Sequence, residues 1–290
     1  MPTPCTVIMN PAAGGYAEDT TAEVAAALEG YGFAPQVFLT RSPDDAALFA
    51  RRACAERPDP LVIAGGGDGT VNGVLNGLVP GAATLAVLPL GTSNVLAREL
   101  GIRSVGEALG RIARRETRPL SVGLLDMAGE RRYFSLMAGI GFDGAVVAGV
   151  RLGEKRWLKE GAYILSAVRV LGNWERETLE IVADGERRKC HSAVICNSAR
   201  YGGDFMLARD ADIFSPGFRV VCIRSGDRRG YLRLALRILT GRGAAGPGVE
   251  MFAARELHFA GGMAIQADGD YIGRGPGSIR TVEGFARLIV

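Results

Sequence analysis

Apolar and polar positions along residues 1–120 predict strands and helices in alternation. Short apolar runs predict buried strands at 5–9, 35–40, 61–64 and 84–88, and helical spacing of apolar residues predicts helices at 22–28, 44–55, 71–78 and 95–100. Ser42 or Asp44 is placed to cap the second helix. Strands that alternate with helices are typical of a parallel sheet with helices on both faces. We therefore expect residues 1–120 to form a Rossmann-like three-layer α/β/α domain.

After residue 118 the pattern changes to short runs in which apolar and polar residues alternate. These runs predict strands at 121–127, 132–137, 179–183, 192–196, 218–223, 251–259 and 263–267, interrupted by helices at 160–171 and 230–239. Asp184 and Gly185 lie between two such runs and predict a hairpin turn. We expect residues 121–284 to form a second domain, a mostly antiparallel β-sandwich.

The strongest chemical signal lies in residues 61–78, LVIAGGGDGTVNGVLNGL. An apolar strand ends in three glycines, which let a ligand approach the backbone closely, and the helix that follows offers free N–H groups to a phosphate. The Asp68 carboxylate would repel bare phosphate, so it suits a magnesium ion or an attacking hydroxyl group. The glycines alone could simply make a sharp turn. A dinucleotide fingerprint is excluded because Thr70 stands where its last glycine would be, and no Walker phosphate loop occurs.

Composition and charge exclude several kinds of protein and of site. The net charge of +3 is too small to indicate nucleic-acid binding, although residues 124–290 carry net +5 and residues 1–123 net −2. Five scattered cysteines without a C-x-x-C pair are typical of reduced thiols in a cytoplasmic protein. His191 and His258 are too few for a histidine metal site or a catalytic triad. No apolar run is long enough to span a membrane, and because a strand-like run stands at the start of the sequence we expect no basic-then-apolar leader.

Several motifs occur in one order along the chain. They are NPAAG at 10–14, Thr40 after the second strand, GGGDGTVN at 65–72, LPLGTSN at 88–94, GIGFDG at 139–144 and QADGD at 266–270. Together they resemble the bacterial diacylglycerol kinase-like lipid kinase family, which includes relatives of sphingosine and ceramide kinases. G-G-D-G-T alone is shared with NAD kinases and phosphofructokinases, whereas the ordered set is specific.

The resemblance implies an ATP- and Mg²⁺-dependent kinase that phosphorylates a hydroxyl group of a diacylglycerol-like or sphingoid-like lipid. It implies that the last strand, 285–290, returns to the first domain. The lipid hydroxyl group would lie near Asp268 and Asp270. We favour this late pair as the catalytic base and Asp68 at the ATP–Mg²⁺ end, with the reverse assignment left open. The implied ATP contacts are Asn10, Pro11, Ala12, Ala13, Gly14, Thr40, Gly65, Gly66, Gly67, Asp68, Gly69, Thr70, Asn72, Gly91, Thr92 and Asn94.

One departure concerns metal binding. Ser215 and Pro216 stand where many family members have an acidic pair that holds a structural Mg²⁺. Proline offers no carboxylate, so we predict no metal-ligating residue of the protein at this place.

A lipid kinase without a spanning segment is expected to bind peripherally to an anionic membrane surface, where its lipid substrate lies. Whether the protein forms a homodimer stays open. The candidate contacts are basic residues interleaved with Trp and Leu, although such residues can also form an ordinary solvated face. They are Arg151, Lys155, Arg156, Trp157, Lys159, Arg228, Arg229, Arg233 and Arg237.

Two alternative functions remain at this stage. An NAD kinase would need a downstream Asn-Glu or Asn-Asp pair, but Asn173 and Asn197 are followed by Trp174 and Ser198. A catalytically inactive lipid-binding regulatory protein is suggested by Pro216 and opposed by the intact Asp68 and Asp268 motifs.

Overall fold

The structure is a computed structural model, and it describes residues 1–127, 129–150, 161–172, 178–203, 205–224 and 226–290. No helix in these described ranges is long and apolar enough to cross a membrane. The candidate membrane contacts Arg151, Lys155, Arg156, Trp157 and Lys159 lie outside the described residues.

The first part of the chain folds into a parallel sheet with helices on both faces. The strands lie in the order β2-β1-β3-β4, and each neighbouring pair is parallel. Helices α2 and α3 contact each other on one face, and α1 packs against α5 on the other. The predicted α/β/α layering is confirmed. The elements are β1 (Thr3–Met9), α1 (Thr20–Gly30), β2 (Phe33–Leu39), α2 (Asp45–Glu56), β3 (Leu61–Gly66), α3 (Asp68–Gly77), β4 (Thr84–Pro89), α4 (Val95–Glu99) and α5 (Val105–Arg114).

The second part of the chain is mostly antiparallel. Its helices are α6 (Phe142–Ala148), α7 (Gly161–Gly172) and α8 (Arg228–Leu239). Its strands are β5 (Thr117–Met127), β6 (Glu130–Phe134), β7 (Met137–Ile140), β8 (Leu179–Ala183), β9 (Glu186–Cys190), β10 (Ser192–Cys196), β11 (Arg200–Gly202), β12 (Phe205–Met206), β13 (Phe218–Ile223), β14 (Val249–Ala254), β15 (Glu256–Ala260), β16 (Ala264–Ala267), β17 (Asp270–Arg274) and β18 (Gly277–Ile289).

Two sheets face each other in this second part. One sheet has the order β14-β13-β10-β7-β16-β17, and the other contains β5, β6, β8, β9, β15 and β18. Leu125 and Ile181 from one sheet and Ile195 and Val220 from the other are buried in a shared apolar core. This arrangement agrees with the predicted antiparallel β-sandwich.

Strand β18 makes the two parts one continuous sheet. Its first half pairs antiparallel with β15 and β5, and Arg287 and Leu288 in its second half pair parallel with β4. The prediction that the end of the chain returns to the first sheet is confirmed. Because one strand runs through both parts, the cleft between them is built on a shared backbone framework.

Two segments predicted as single strands are each divided between the facing sheets. Residues 132–137 form the end of β6 and the start of β7, and residues 251–259 form β14 and β15, with the break at Arg255. At the second break, the carboxylate of Asp184 accepts hydrogen bonds from the backbone N–H groups of Arg255 and Glu256. An apolar pattern cannot reveal such a crossover, because both halves remain buried on one side.

The predicted Asp184–Gly185 hairpin turn is confirmed between β8 and β9. Both residues have positive φ, 47° and 88°, as a two-residue turn of this type requires. Asp44, one of the two predicted caps of the second helix, occupies the N-cap position, but its side chain makes no capping hydrogen bond. The Asp45 carboxylate accepts hydrogen bonds from the Ser42 N–H and hydroxyl groups in its place.

Helices α2 and α3 approach closely at Gly77, and this contact allows a direct test. A Cβ atom at Gly77 would lie 2.1 Å from the backbone oxygen of Ala47, so Gly77→Ala must push the helices apart. We expect a loss of about 1–3 kcal/mol in the free energy of unfolding, measured in urea. Gly110→Ala on α5 is the matched control, because nothing lies within 4 Å of its added Cβ. It should leave stability unchanged or raise it by about 1 kcal/mol. Equal losses in both variants would contradict this packing.

Candidate active site

The loops that follow β1, β3 and β4 meet at one edge of the parallel sheet. The N–H of Asn10 donates to the Gly65 oxygen at 2.8 Å, the N–H of Leu90 donates to the Gly66 oxygen at 3.1 Å, and the N–H of Gly15 donates to the Leu90 oxygen at 2.8 Å. These hydrogen bonds bring the three loops together at one crevice. Ligands in sheets of this kind bind beyond the carboxyl ends of the strands.

Glycines allow these loops to touch through their backbones. A Cβ atom on Gly91 would lie 2.3 Å from the Gly67 Cα atom, and a Cβ atom on Gly66 would lie 2.3 Å from the Thr70 hydroxyl oxygen. Larger residues would therefore separate the loops. The result is a cleft floor made of backbone groups, as phosphate binding requires.

Asn10 organises the first loop and joins it to α3. Its side-chain oxygen accepts a hydrogen bond from the Ala12 N–H at 2.9 Å, and its amide nitrogen donates to the Thr70 hydroxyl group at 3.3 Å. Thr70 is buried. Other predicted nucleotide contacts remain accessible around this floor: Pro11, Ala12, Gly14, Gly69 and Thr92 are exposed, and Ala13, Thr40 and Gly67 are half-buried.

Asn94 holds the third loop in shape. Its φ is 45°, in the left-handed region, and its side-chain amide bonds both the N–H and the C=O of Gly91, at 2.8 Å each. Asparagine tolerates this conformation better than most residues. Its amide is therefore used within the turn, and the role of Asn94 is to shape the loop.

Asp68 begins α3 and also holds the start of α4. Its Oδ1 atom accepts hydrogen bonds from the N–H groups of Val95 at 2.6 Å and Leu96 at 3.4 Å. The Oδ2 atom accepts no side-chain hydrogen bond from the described part of the chain, and so it can meet a ligand. Burial raises the pKa of the Asp68 carboxyl group, the backbone N–H groups of Val95, Leu96 and Asp68 itself oppose this rise, and the Asp268 charge adds to it.

Asp268 lies in a hairpin turn between β16 and β17, and its carboxylate is fully used. The N–H groups of Leu136 and Met137 donate to Oδ1, each at 2.9 Å. The N–H of Ser135 at 2.8 Å, its hydroxyl group at 3.2 Å and the amide of Asn72 at 2.9 Å donate to Oδ2. These donors hold the crossover from β6 to β7. Burial raises the pKa of Asp268, and the donors oppose this by favouring the charged form.

The structure shows the contacts of two predicted site residues. With five donors on its oxygens, Asp268 has no lone pair directed at a substrate, so the geometry does not favour it as the catalytic base. Asn72, a predicted ATP contact, is 1% exposed, and its side chain bonds Asp268 and Asn76 and so joins α3 to the second part of the chain.

Asp270 differs from Asp268 although the two belong to one turn. Its carboxylate pairs with the Arg132 guanidinium group at 2.9 Å, and 45% of its side chain is exposed. The ion pair of Asp270 is therefore partly exposed to solvent, unlike the buried hydrogen bonds of Asp268.

A further buried carboxylate, that of Asp143 on α6, stands behind the Asp268 turn. The amide nitrogen of Gln266 donates to Asp143 at 2.6 Å, and its oxygen accepts the N–H of Gly269 at 2.8 Å; the Tyr201 hydroxyl group also donates to Asp143. Burial raises the pKa of Asp143. The motif GIGFDG was recognised in the sequence, but nothing in it indicated that Asp143 orients the Gln266 amide.

The carboxylates near the cleft do not form a preassembled metal site. No group of three or more His, Cys, Asp and Glu residues in the described ranges could hold a metal ion. Magnesium is usually held by one or two carboxylates together with substrate phosphates. Asp68, with Oδ2 available, is the residue that fits this role.

Two family models match the chain in succession. Residues 4–125 match the diacylglycerol kinase catalytic domain. Residues 137–290, more than half of the chain, match the YegS C-terminal NAD kinase beta sandwich-like domain. These matches cover both the parallel-sheet part and the antiparallel part.

Two relatives of known sequence carry the name diacylglycerol kinase, and a solved structure shares the fold of this chain. The chain is similar to the diacylglycerol kinase of Bacillus subtilis (strain 168), at 28% identity over 280 residues, covering 93% of this chain and 91% of the relative. It is 26% identical over 246 residues to the diacylglycerol kinase of Mycobacterium tuberculosis (strain ATCC 25618 / H37Rv), covering 82% of this chain and 79% of the relative. The crystal structure of a diacylglycerol kinase from Bacillus anthracis str. Sterne has the same fold, with a TM-score of 0.73 at 19% identity, covering 99% and 96% of the two chains.

The two aspartates of the late turn should differ in stability. Asp268→Asn replaces an acceptor oxygen with an NH₂ group that faces buried donors, so we expect a loss of about 3 kcal/mol in the free energy of unfolding. Asp270→Asn, in the same turn, removes only a half-exposed ion pair and should cost less than about 1 kcal/mol. Urea unfolding of both variants measures the difference. Equal costs would show that the Asp268 bonds do not hold the crossover.

Proposed function

The chain belongs to the bacterial diacylglycerol kinase-like family and is a lipid kinase, and we propose that it transfers the γ-phosphoryl group of Mg²⁺-bound ATP to a hydroxyl group of a diacylglycerol-like or sphingoid-like lipid. One observation supports this most directly. Backbone-lined loops suited to phosphate meet beside Asp68, whose carboxylate is anchored through one oxygen and available through the other.

The nucleotide would lie on the three loops at the edge of the parallel sheet. N–H groups at the start of α3 and the backbone of the 91–94 turn can hold phosphate oxygens without side-chain charge. The close approach of Gly67 and Gly91 keeps this surface open to a bulky triphosphate. Thr40 would border the nucleotide, because its N–H bonds the Met9 oxygen at the end of β1.

Asp68 is proposed to accept the proton of the lipid hydroxyl group. Phosphoryl transfer depends mainly on positioning and charge neutralisation, and a base needs an accessible oxygen near the hydroxyl group. Asp68 has such an oxygen, and burial brings its pKa toward the working pH of a base. Asp268 has none available, and we propose it as a positioning residue that holds the β6–β7 crossover beside α3.

Bound Mg²⁺ would neutralise charge that develops on the transferring phosphoryl group. Phosphate oxygens of ATP would hold the ion beside Asp68. Asp68 therefore stands at the junction of the nucleotide and the acceptor, and we assign its Oδ2 atom to the lipid hydroxyl group.

The lipid is the least defined part of the proposal. The relatives named diacylglycerol kinase make diacylglycerol the first lipid to test, with sphingoid lipids second. The relatives named diacylglycerol kinase favour a lipid over NAD as the acceptor, and they favour an active enzyme over an inactive lipid-binding protein.

Transfer from labelled ATP to lipids in mixed micelles tests the substrate. The panel holds diacylglycerol, monoacylglycerol, ceramide, sphingosine and phosphatidylglycerol, with NAD as a non-lipid acceptor. We expect label in one lipid class, lost when EDTA removes the divalent ion and restored by added Mg²⁺. Labelling of NAD alone, or lipid labelling that persists in EDTA, would overturn the proposal.

The role of Asp68 can be tested by Asp68→Asn. Asparagine keeps the oxygen that bonds Val95, so the fold should persist, while transfer falls by about 10²–10⁴-fold. Because burial raises the pKa of Asp68 and a base must be deprotonated, wild-type kcat/KM should fall as the pH drops through a value above the usual range of aspartate.

Asp126→Asn is the control for that variant, since Asp126 pairs with Arg131 at an exposed site. It should leave both kcat and the pH profile unchanged. If Asp68→Asn keeps near-normal kcat, or if its low-pH limb matches the wild type, Asp68 is not the proton acceptor.

A further inference from the structure

Helix α8 exposes a stripe of leucines on its outer side. Leu232, Leu236 and Leu239 are 59%, 62% and 61% exposed, and their spacing places them on one face. The opposite face is anchored by buried Tyr231 and Leu234. The Tyr231 hydroxyl group bonds the His191 ring at 2.7 Å and also the Ser192 hydroxyl group. The leucines are therefore exposed on a helix that is firmly packed.

The polar residues beside this stripe are all basic. Helix α8 contains Arg228, Arg229, Arg233 and Arg237 and no acidic residue. Arg228 donates to the Gly172 oxygen at the end of α7, whereas Arg229 and Arg233 are exposed and form no ion pair with any described residue. We call Leu232, Leu236, Leu239, Arg229 and Arg233 the α8 surface.

The α8 surface is connected to the cleft through packed elements. Helix α8 contacts β12, where Phe205 is 40% exposed, and β12 pairs with β11. Beside β11, the Ala199 N–H donates to Glu99 of α4 at 3.1 Å. The other end of α4 binds Asp68. A chain of direct contacts therefore joins α8 to the helix that holds Asp68.

We propose that the α8 surface docks the protein on an anionic lipid bilayer, with the leucines in the interfacial region and the arginines against lipid phosphates. An apolar stripe with a basic border complements a bilayer, which is apolar inside and negatively charged at its surface. A second copy of this chain fits less well. A symmetric contact through the same face would bring the arginines of both copies together.

This inference rests on the proposed function, since it names the surface from which a membrane lipid would reach the site. Its main readout is vesicle binding, which does not need catalysis. A failure of the proposed membrane docking can therefore be distinguished from a failure of the proposed lipid kinase activity.

The test uses co-sedimentation with vesicles of phosphatidylcholine, with and without phosphatidylglycerol. We expect wild type to prefer the anionic vesicles. Leu232→Gln/Leu236→Gln/Leu239→Gln should lower the partition constant by about tenfold or more, because three apolar side chains no longer enter the interface. Arg229→Gln/Arg233→Gln should lower it by about tenfold at low salt and reduce the preference for phosphatidylglycerol.

Leu48→Gln on α2 is the matched control, because Leu48 is 59% exposed on the first part of the chain. It should bind vesicles like wild type. The triple variant should keep its unfolding midpoint and its activity on a short-chain diacylglycerol dissolved below its micelle concentration. If both are unchanged, reduced vesicle binding by the triple variant cannot be due to unfolding or to loss of catalysis.

Three outcomes would overturn the proposal: unchanged binding of the triple variant, an equal loss in Leu48→Gln, or equal wild-type binding to neutral and anionic vesicles. A wild-type dimer that the triple variant converts to monomer in light scattering would assign the face to a second copy instead. If the vesicle results hold while no variant, wild type included, phosphorylates soluble lipid, docking stands and the proposed function fails.

Discussion

The buried carboxylate of Asp268 accepts hydrogen bonds from the β6–β7 crossover and from α3, and the shape of the cleft depends on those bonds. Ser135 and Leu136 lie between the two sheets and Met137 is the first residue of β7, and the N–H groups of all three point to Asp268. Without an acceptor they would be buried and unpaired, at a cost of about 1–3 kcal/mol each. A single charged turn residue satisfies them and also ties α3, which carries Asp68, to the second part of the molecule.

Asp68 and Asp268 show how surroundings assign different roles to neighbouring residues of one chemical type. Burial raises the pKa of both carboxyl groups. Asp268 accepts hydrogen bonds on both oxygens, and these donors stabilise its negative charge. The Oδ1 atom of Asp68 accepts hydrogen bonds from Val95 and Leu96, whereas no other described residue donates to its Oδ2 atom, so that oxygen can meet a ligand. The two aspartates differ in which of their oxygens accept hydrogen bonds, and a comparison of sequence motifs does not show this difference.

Helix α4 links the two ends of the proposed reaction, although it is only five residues long. Its first N–H groups fix Asp68, and Glu99 at its end bonds the Ala199 N–H and pairs with Arg200 at 3.5 Å. Glu99 is largely buried, and burial raises its pKa. The hairpin that it holds contacts α8. The proposed phosphate site and the proposed membrane surface are thus joined by direct contacts between packed elements.

The sequence by itself determined the alternating α/β part and the antiparallel part, because both follow from the local periodicity of apolar residues. The returning strand was implied by the resemblance of the ordered motifs to a known family. Only the tertiary structure decided which groups Asp268 and Asn72 contact, because those contacts join residues more than a hundred positions apart in the chain. It also decided where the segments 132–137 and 251–259 cross between sheets. At each crossover a distant aspartate, Asp268 or Asp184, accepts hydrogen bonds from the backbone N–H groups between the two sheets. Only the folding of the whole chain brings that aspartate to the crossover.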